Sequence, residues 1–204
     1  LSSNFQKDIS AYTAGNFTNF DELQSFFVRA NYTIADKYLF TGTFRADGSS
    51  KFGPNFQYGY FPSGAFAWKM HEEDFVGDNV STLKLRLGAG IVGNQEGLGF
   101  AQFLRREVLG GVGFDGDGTL NDNLISTFVT GNFNADLKWE STLDLNVGLD
   151  FGFNEDRFNG TFNVYRKETS DLLLLRGVAA PAAASPTIFA NLEDGIVLNQ
   201  GVEL

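Results

Sequence analysis

The strongest constraint in this chain is an alternation with a period of two. In "LDLNVGLDFGF" the residues Leu143, Leu145, Val147, Leu149, Phe151 and Phe153 fall on one side, and Asp144, Asn146, Gly148, Asp150 and Gly152 on the other. "LKLRLGAGI" repeats the split, with Leu83, Leu85, Leu87, Ala89 and Ile91 against Lys84, Arg86, Gly88 and Gly90. A period of two is the spacing of a β-strand, whose successive side chains point to opposite faces. "SFFVRANYTI", "KYLFTGTFRA", "QYGYFPSGAFAWKM" and "FNGTFNVYRKETSDL" carry the same signal, giving about six strands, several longer than the usual five or six residues. Helical spacing is absent. The spacing predicts an all-β protein, an antiparallel meander of long strands.

The connections alternate in length. "ADK" (35–37) and "NED" (154–156) are short, and "HEEDFVGDNV" (71–80) is medium. Between them fall longer stretches at about 47–57, 94–136 and 171–190. Alternate connections of a meander lie at opposite ends of the sheet. Short turns at one end and long loops at the other is the habit of outer-membrane barrels, whose long loops are extracellular. The stretch "FRADGSSKFG" (44–53) then sits at the long-loop rim, with Asp47-Gly48 expected to turn the chain and Ser49, Ser50 and Lys51 to keep its tip wet.

Two architectures carry this pattern. In a soluble, secreted β-sandwich that binds carbohydrate or protein, the apolar side chains meet a facing sheet. In a transmembrane barrel they meet lipid, and the polar side chains line a wet lumen. Asp144, Asn146, Asp150, Asn159, Thr161 and Asn163 are polar enough for such a lumen. Tyr32, Tyr38 and Trp68 near the short-turn end, and Tyr58, Tyr60 and Trp139 near the other, stand where interfacial girdles belong. The deciding feature is where Leu143, Leu145, Val147, Leu149 and Phe151 point.

Charge and composition exclude other classes. A formal net charge of −10 without a basic stripe argues against nucleic-acid binding. No cysteine and a single histidine, His71 beside Glu72 and Glu73 in a turn, leave no material for a transition-metal site or a Ser-His triad. No carboxylate pair has the isolation of a glycosidase acid and base, so no enzyme and no cofactor are expected. Asp115, Asp117 and Asp122 in "DGDGTLND" form a weak Ca²⁺ candidate that lacks the distal bidentate Glu; a solvated loop explains them as well. Phe100, Phe103, Phe114 and Trp139 are aromatics that either stack on sugar rings, pack a lid, or fill the loops. Asp150 is expected within ion-pairing reach of Lys84 or Arg86 across neighbouring strands. No signal peptide, no apolar helical span and no initiator Met are visible, which reads as an internal fragment.

In order, "KYLFTGTFRADGSSKFG", "YGYFPSGAFAWKMHEEDF", "VSTLKLRLGAGIVGNQ" and "NADLKWESTLDLNVGLDFGFNEDRFNGTFNVYRKETSDLL" resemble the SusC/RagA family of TonB-dependent outer-membrane transporters of Bacteroidetes. The closing "NLEDGIVLNQGVEL" resembles the family's next strand through Asn199, Gly201, Val202 and Glu203. The resemblance implies that residues 1–204 are one segment of a barrel of about 22 strands that imports glycans, oligosaccharides or peptides. It also implies outer-membrane lipid, a SusD-like lipoprotein lid, the rest of the barrel chain, and a TonB complex acting through a plug as partners. Neither plug nor TonB box is recognised within the 204 residues.

Overall fold

A computed structural model describes residues 21–77, 79–99, 103, 107–114, 120–129, 132–178 and 187–204. Its strands are β1 (Leu23–Ile34), β2 (Tyr38–Ser49), β3 (Tyr58–Lys69), β4 (Val80–Asn94), β5 (Glu107–Phe114), β6 (Leu120–Val129), β7 (Glu140–Phe153), β8 (Phe158–Ser170), β9 (Leu172–Gly177), β10 (Thr187–Leu192) and β11 (Val197–Glu203). Seven of them form one antiparallel sheet in the order β1-β2-β3-β4-β7-β8-β11. Among the described residues β5 pairs only with β6, and β9 only with β10, and the seven-stranded sheet is open along β1 and β11, as part of a barrel wall would be.

The register converts the period-two pattern into two continuous faces. Tyr32, Phe40, Phe66, Leu87, Val147, Val164 and Val202 stand opposite one another in a single row across all seven strands. The row Arg29, Thr43, Ser63, Gly90, Asp144, Lys167 and Asn199 does the same on the other face. Because side chains alternate strictly, a one-residue slip anywhere would exchange the faces, so each ladder fixes the next. Members of the polar row from every strand line one common trough, which shows the sheet curling with its polar face concave.

The apolar face is uncovered. Val147, at the middle of β7, is 47% exposed, and Leu143 and Leu145 are similarly open. Among the described residues no second sheet packs on them, which rules against the sandwich arrangement. Aromatic pairs run across the outer face of β2 and β3: Phe40 on Phe66 at 5.0 Å and Phe44 on Tyr60 at 6.0 Å between centroids. Such pairs contribute about 0.5–1.5 kcal/mol each beyond area burial.

The short connections are built from left-handed residues. Ala35 and Asp36 have φ of 50° and 56°, and Asn154, Glu155 and Asp156 of 53°, 58° and 60°. Consecutive positive φ values reverse a strand pair with the twist that hairpins need. The β7–β8 turn is tied to the start of β4, where Ser81 Oγ and Thr82 Oγ1 donate to Asp156 Oδ1 at 2.7 and 3.1 Å. The β3–β4 connection holds a single 3₁₀ turn, Met70–Glu72, in which His71 Nδ1 accepts the Leu83 N–H at 3.3 Å. His71 is thus bonded to the wall rather than free in solvent.

Several expectations change. Asp47 and Gly48 do not turn the chain: both are strand residues of β2, Gly48 standing opposite Tyr58. The glycine is there for space, since a Cβ on it would lie 2.7 Å from Tyr58 Cε1. The reversal falls at residues 50–57, and it is not Ser49, Ser50 and Lys51 that keep it wet: Ser49 and Phe52 are buried and Ser50 and Lys51 half-buried, while Pro54, Asn55, Phe56 and Gln57 are exposed. The stretch 94–136 carries the β5–β6 hairpin, and 171–190 carries β9 and most of β10. Uneven hydrophobicity hid these strands, which pair only with each other and so need no clean alternation.

Candidate functional site: the polar wall and its mouth

The concave face is a trough of about 820 Å³ lined by side chains of opposite charge. Arg45 Nε contacts Asp47 Oδ1 at 2.7 Å, and Lys167 Nζ lies 3.4 Å from Asp144 Oδ2. Deeper toward the short-turn end, Arg86 grips Asp150 with two parallel bonds, Nε to Oδ2 at 2.9 Å and Nη2 to Oδ1 at 2.8 Å. The expectation that Asp150 pairs with Arg86 or Lys84 therefore holds, with Arg86 as the partner. Arg86 Nη2 also donates to Asn163 Oδ1 at 3.0 Å, and Thr161 Oγ1 donates to Asp150 Oδ1 at 3.1 Å. The guanidinium fits because residue 148 has no side chain: a Cβ on Gly148 would lie 2.8 Å from Arg86 Nη2. Bidentate geometry with satisfied oxygens makes this a fixed element of the wall.

At the long-loop end lies the buried cluster of the described residues: Phe52, Phe61, Leu98, Leu137 and Trp139, with Ile91, Leu173 and Phe189 against it. Phe52 and Trp139 stand 4.8 Å apart, and Phe61 meets Trp139 edge-on at 5.6 Å. The Phe61 ring lies over Gly59 and Gly93, where any Cβ would collide with it. Trp139, expected at an interfacial girdle, is 8% exposed and donates its Nε1–H to the Gln57 carbonyl at 3.4 Å. It is a loop anchor, because the strand that would present it outward begins only at Glu140. Tyr32, Tyr58 and Tyr60 do stand exposed on the apolar face.

Polar residues bind the loops to this cluster. Asp47, 6% exposed, accepts from Arg45 Nε within β2, while Ser50 Oγ accepts the Glu22 N–H at 2.8 Å. Asn191 Nδ2 donates to the Lys138 and Asp171 carbonyls, each at 2.8 Å, and its Oδ1 accepts the Lys138 N–H at 3.0 Å. Lys138 Nζ pairs with Asp171 Oδ1 at 2.9 Å. Sequence reasoning missed Asn191 and Phe52; a lone Asn and a Phe after a polar turn carry no period to mark them.

At the other end Glu73 joins two turns. Tyr38 Oη donates to Glu73 Oε1 at 2.7 Å, Trp68 Nε1 to the same oxygen at 3.1 Å, and Lys37 Nζ to Oε2 at 3.0 Å. These donors, the Tyr38 hydroxyl foremost and then Lys37 and Trp68, hold the Glu73 carboxyl below the usual carboxylate range. A group depressed in the folded state adds stability that is complete above its unfolded value, about 4.3, and is lost as pH falls through the folded one. Acidification below about pH 4.5 should therefore loosen this end first. Urea unfolding across pH should show Glu73→Gln flattening that acid limb; an unchanged limb would remove Glu73 from it.

Of the remaining sequence candidates, Asp115, Asp117 and Phe100 lie outside the described residues. Asp122 falls in β6 and Phe114 ends β5, both described by their backbone alone. Phe103 approaches the loop at Gly53, 3.7 Å from where a Cβ would stand. Among the described residues, no group of three acidic, His or Cys side chains converges on a cation position.

A family model described as "TonB dependent receptor-like, beta-barrel" matches residues 2–204. The chain belongs to that family. It is 41% identical over 184 residues to the TonB-dependent receptor SusC of Bacteroides thetaiotaomicron, covering 89% of this chain and 18% of SusC. Its fold matches a RagAB peptide importer solved in an "open-open" state, with a TM-score of 0.76 at 23% identity, over 89% of this chain and 19% of that one. The siderophore receptor PirA of Pseudomonas aeruginosa shares the fold more distantly, with a TM-score of 0.55 at 13% identity. This TonB-dependent receptor segment thus spans less than a fifth of the length of SusC.

Proposed function

We propose that these residues form wall of the barrel of an outer-membrane, TonB-dependent importer of glycans, oligosaccharides or peptides. The carrying observation is the pair of seven-strand rows, one apolar and uncovered, one polar and lining a trough. Lipid covers the first and a wet lumen occupies the second. In this orientation the short turns at 35–37, 70–79 and 154–157 face the periplasm, and the loops anchored on Phe52 and Trp139 face outward. A SusD-like lipoprotein closes the mouth over those loops, and TonB acts from the periplasm through a plug in another part of the polypeptide. The family and the identity to SusC support import; the fold shared with the RagAB peptide importer supports peptides as one cargo class.

Cysteine labelling tests the placement, with no cysteine of the 204 residues competing and the unsubstituted full-length protein labelled in parallel as background. In the full-length protein, Asn55→Cys at the exposed loop should react with an impermeant maleimide on intact cells. Asp36→Cys should react only after the outer membrane is opened. Deleting the gene should abolish energy-dependent uptake of one glycan or peptide class. Reversed labelling, or uptake of every class intact, would refute the reading.

A further inference from the structure

The turn between β3 and β4 carries a phenylalanine that the fold holds in the open. Phe75 is 68% exposed, yet the backbone around it is fixed. The Glu73 N–H donates to the Met70 carbonyl, and the Val76 N–H to the Glu73 carbonyl, each at 3.1 Å. The Glu73 carboxylate is in turn held by Tyr38, Trp68 and Lys37. The Phe75 ring meets Trp68 edge-on at 6.3 Å between centroids, and Trp68 stacks on Tyr38 at 6.0 Å.

The register shows on which side of the wall this happens. Tyr38, Trp68 and Leu85 stand opposite one another, two residues along their strands from Phe40, Phe66 and Leu87 of the apolar row. Side chains two apart share a face, so all three lie on the uncovered surface. Phe75 comes seven residues after Trp68 in the chain and is nevertheless at its level. The turn therefore folds back along the outside of the wall instead of projecting beyond its end or crossing the trough. The β7–β8 hairpin repeats the character of this margin: Phe153 and Phe158 stand opposite each other beside the turn, on the same face, 44% and 71% exposed.

Whatever covers Phe75 must be apolar and continuous with what covers Phe40, Phe66 and Leu87. Tyr and Trp at an interface leave a polar atom among the headgroups. The Tyr38 hydroxyl and the Trp68 Nε1–H do so here, both donating to Glu73. Phenylalanine has no polar atom, so its whole ring belongs in hydrocarbon. We propose that the β3–β4 turn is seated in the periplasmic leaflet of the outer membrane, with Phe75 entering the acyl region beside Trp68 and Glu73 at headgroup level. Phospholipid is the occupant of this surface. The proposal rests on the barrel-wall reading above and extends its lipid contact from the strands to a turn.

Site-directed fluorescence of the full-length transporter in phospholipid vesicles tests it. The environment-sensitive fluorophore NBD, attached at Phe75→Cys, should emit at shorter wavelength than in water. A lipid carrying a shallow acyl-chain spin label should quench it several-fold more strongly than aqueous iodide. NBD at Val147→Cys, in the middle of the apolar row, should respond to a deep spin label, and at Asp36→Cys, in the β1–β2 turn, to iodide. The unsubstituted protein, labelled in parallel, gives the background, and heat-modifiable migration checks that each variant is folded. Iodide quenching at residue 75 with silent lipid labels would overturn the proposal. Silence toward both quenchers would also overturn it, assigning the turn to a protein interface. A label at residue 147 in lipid with one at 75 in water sinks this proposal alone, whereas iodide quenching at 147 sinks the wall reading.

Discussion

Replacing Val147 with arginine should destabilise the assembled barrel by about 2–4 kcal/mol, the cost of a cationic side chain at the lipid-facing midplane. Val147 is suited to this test because it lies at the centre of the apolar row, between Leu87 and Val164, with no sheet above it. Its neighbour Asn146 points the opposite way, into the trough beside Asp144 and Lys167. Asn146→Arg should therefore cost a small fraction of the Val147→Arg effect, even though the two changes are one residue apart and add the same charge. Urea titration of the full-length protein in lipid vesicles, read by heat-modifiable migration, measures both. Equal costs, or a neutral Val147→Arg, would mean that the apolar face does not meet lipid.

The second large effect is expected at the mouth. Phe52→Ala should destabilise the loop cluster by about 3–5 kcal/mol, the usual range for emptying a fully buried phenylalanine site. Phe52 packs against Trp139 and belongs with Leu137 and Phe61 to the buried cluster, so its loss opens a void shared by three loops. Among the described residues the wall contributes only Phe61 and Ile91 to that neighbourhood, at the ends of β3 and β4 nearest the loops. Limited proteolysis of cells should accordingly cut faster around 50–57 and 132–139, while the barrel keeps its folded migration. Phe52→Leu, which retains most of the volume, should lie much closer to the parent protein. Unchanged cleavage in Phe52→Ala would show that the cluster does not hold the loops.

The wall was legible in the sequence and the mouth was not, for physical reasons. In β7 every second residue from Leu143 to Phe153 is apolar, because one face of the strand is left uncovered and the other lines the polar trough. That contrast also gave the strand order and the Asp150 ion pair. Phe52 and Trp139 are stabilised instead by packing between segments distant in the chain, which leaves no period behind. Asp47-Gly48 misled for a related reason. Asp and Gly favour turns in isolation, but here Arg45 neutralises the carboxylate and Tyr58 lies over the bare glycine, so tertiary contacts keep both in the strand. Lys84, the other candidate partner of Asp150, stands opposite it in the ladder, but it is Arg86 that closes the pair.

The β4–β7 ladder has one more consequence. Its pairing runs to the last residues, Asn94 opposite Glu140, where Asn94 Nδ2 donates to Glu140 Oε1 at 3.0 Å. Everything between those two positions leaves and re-enters the wall through adjacent residues, so the length of the part beyond Leu98 and before Leu137 is not felt by the strands below. Each doubling of such an excursion adds only about 0.6 kcal/mol of closure entropy. Insertions and deletions between Leu98 and Leu137, outside the buried cluster, are therefore cheap, and that part of the excursion can change length while the wall is inherited intact.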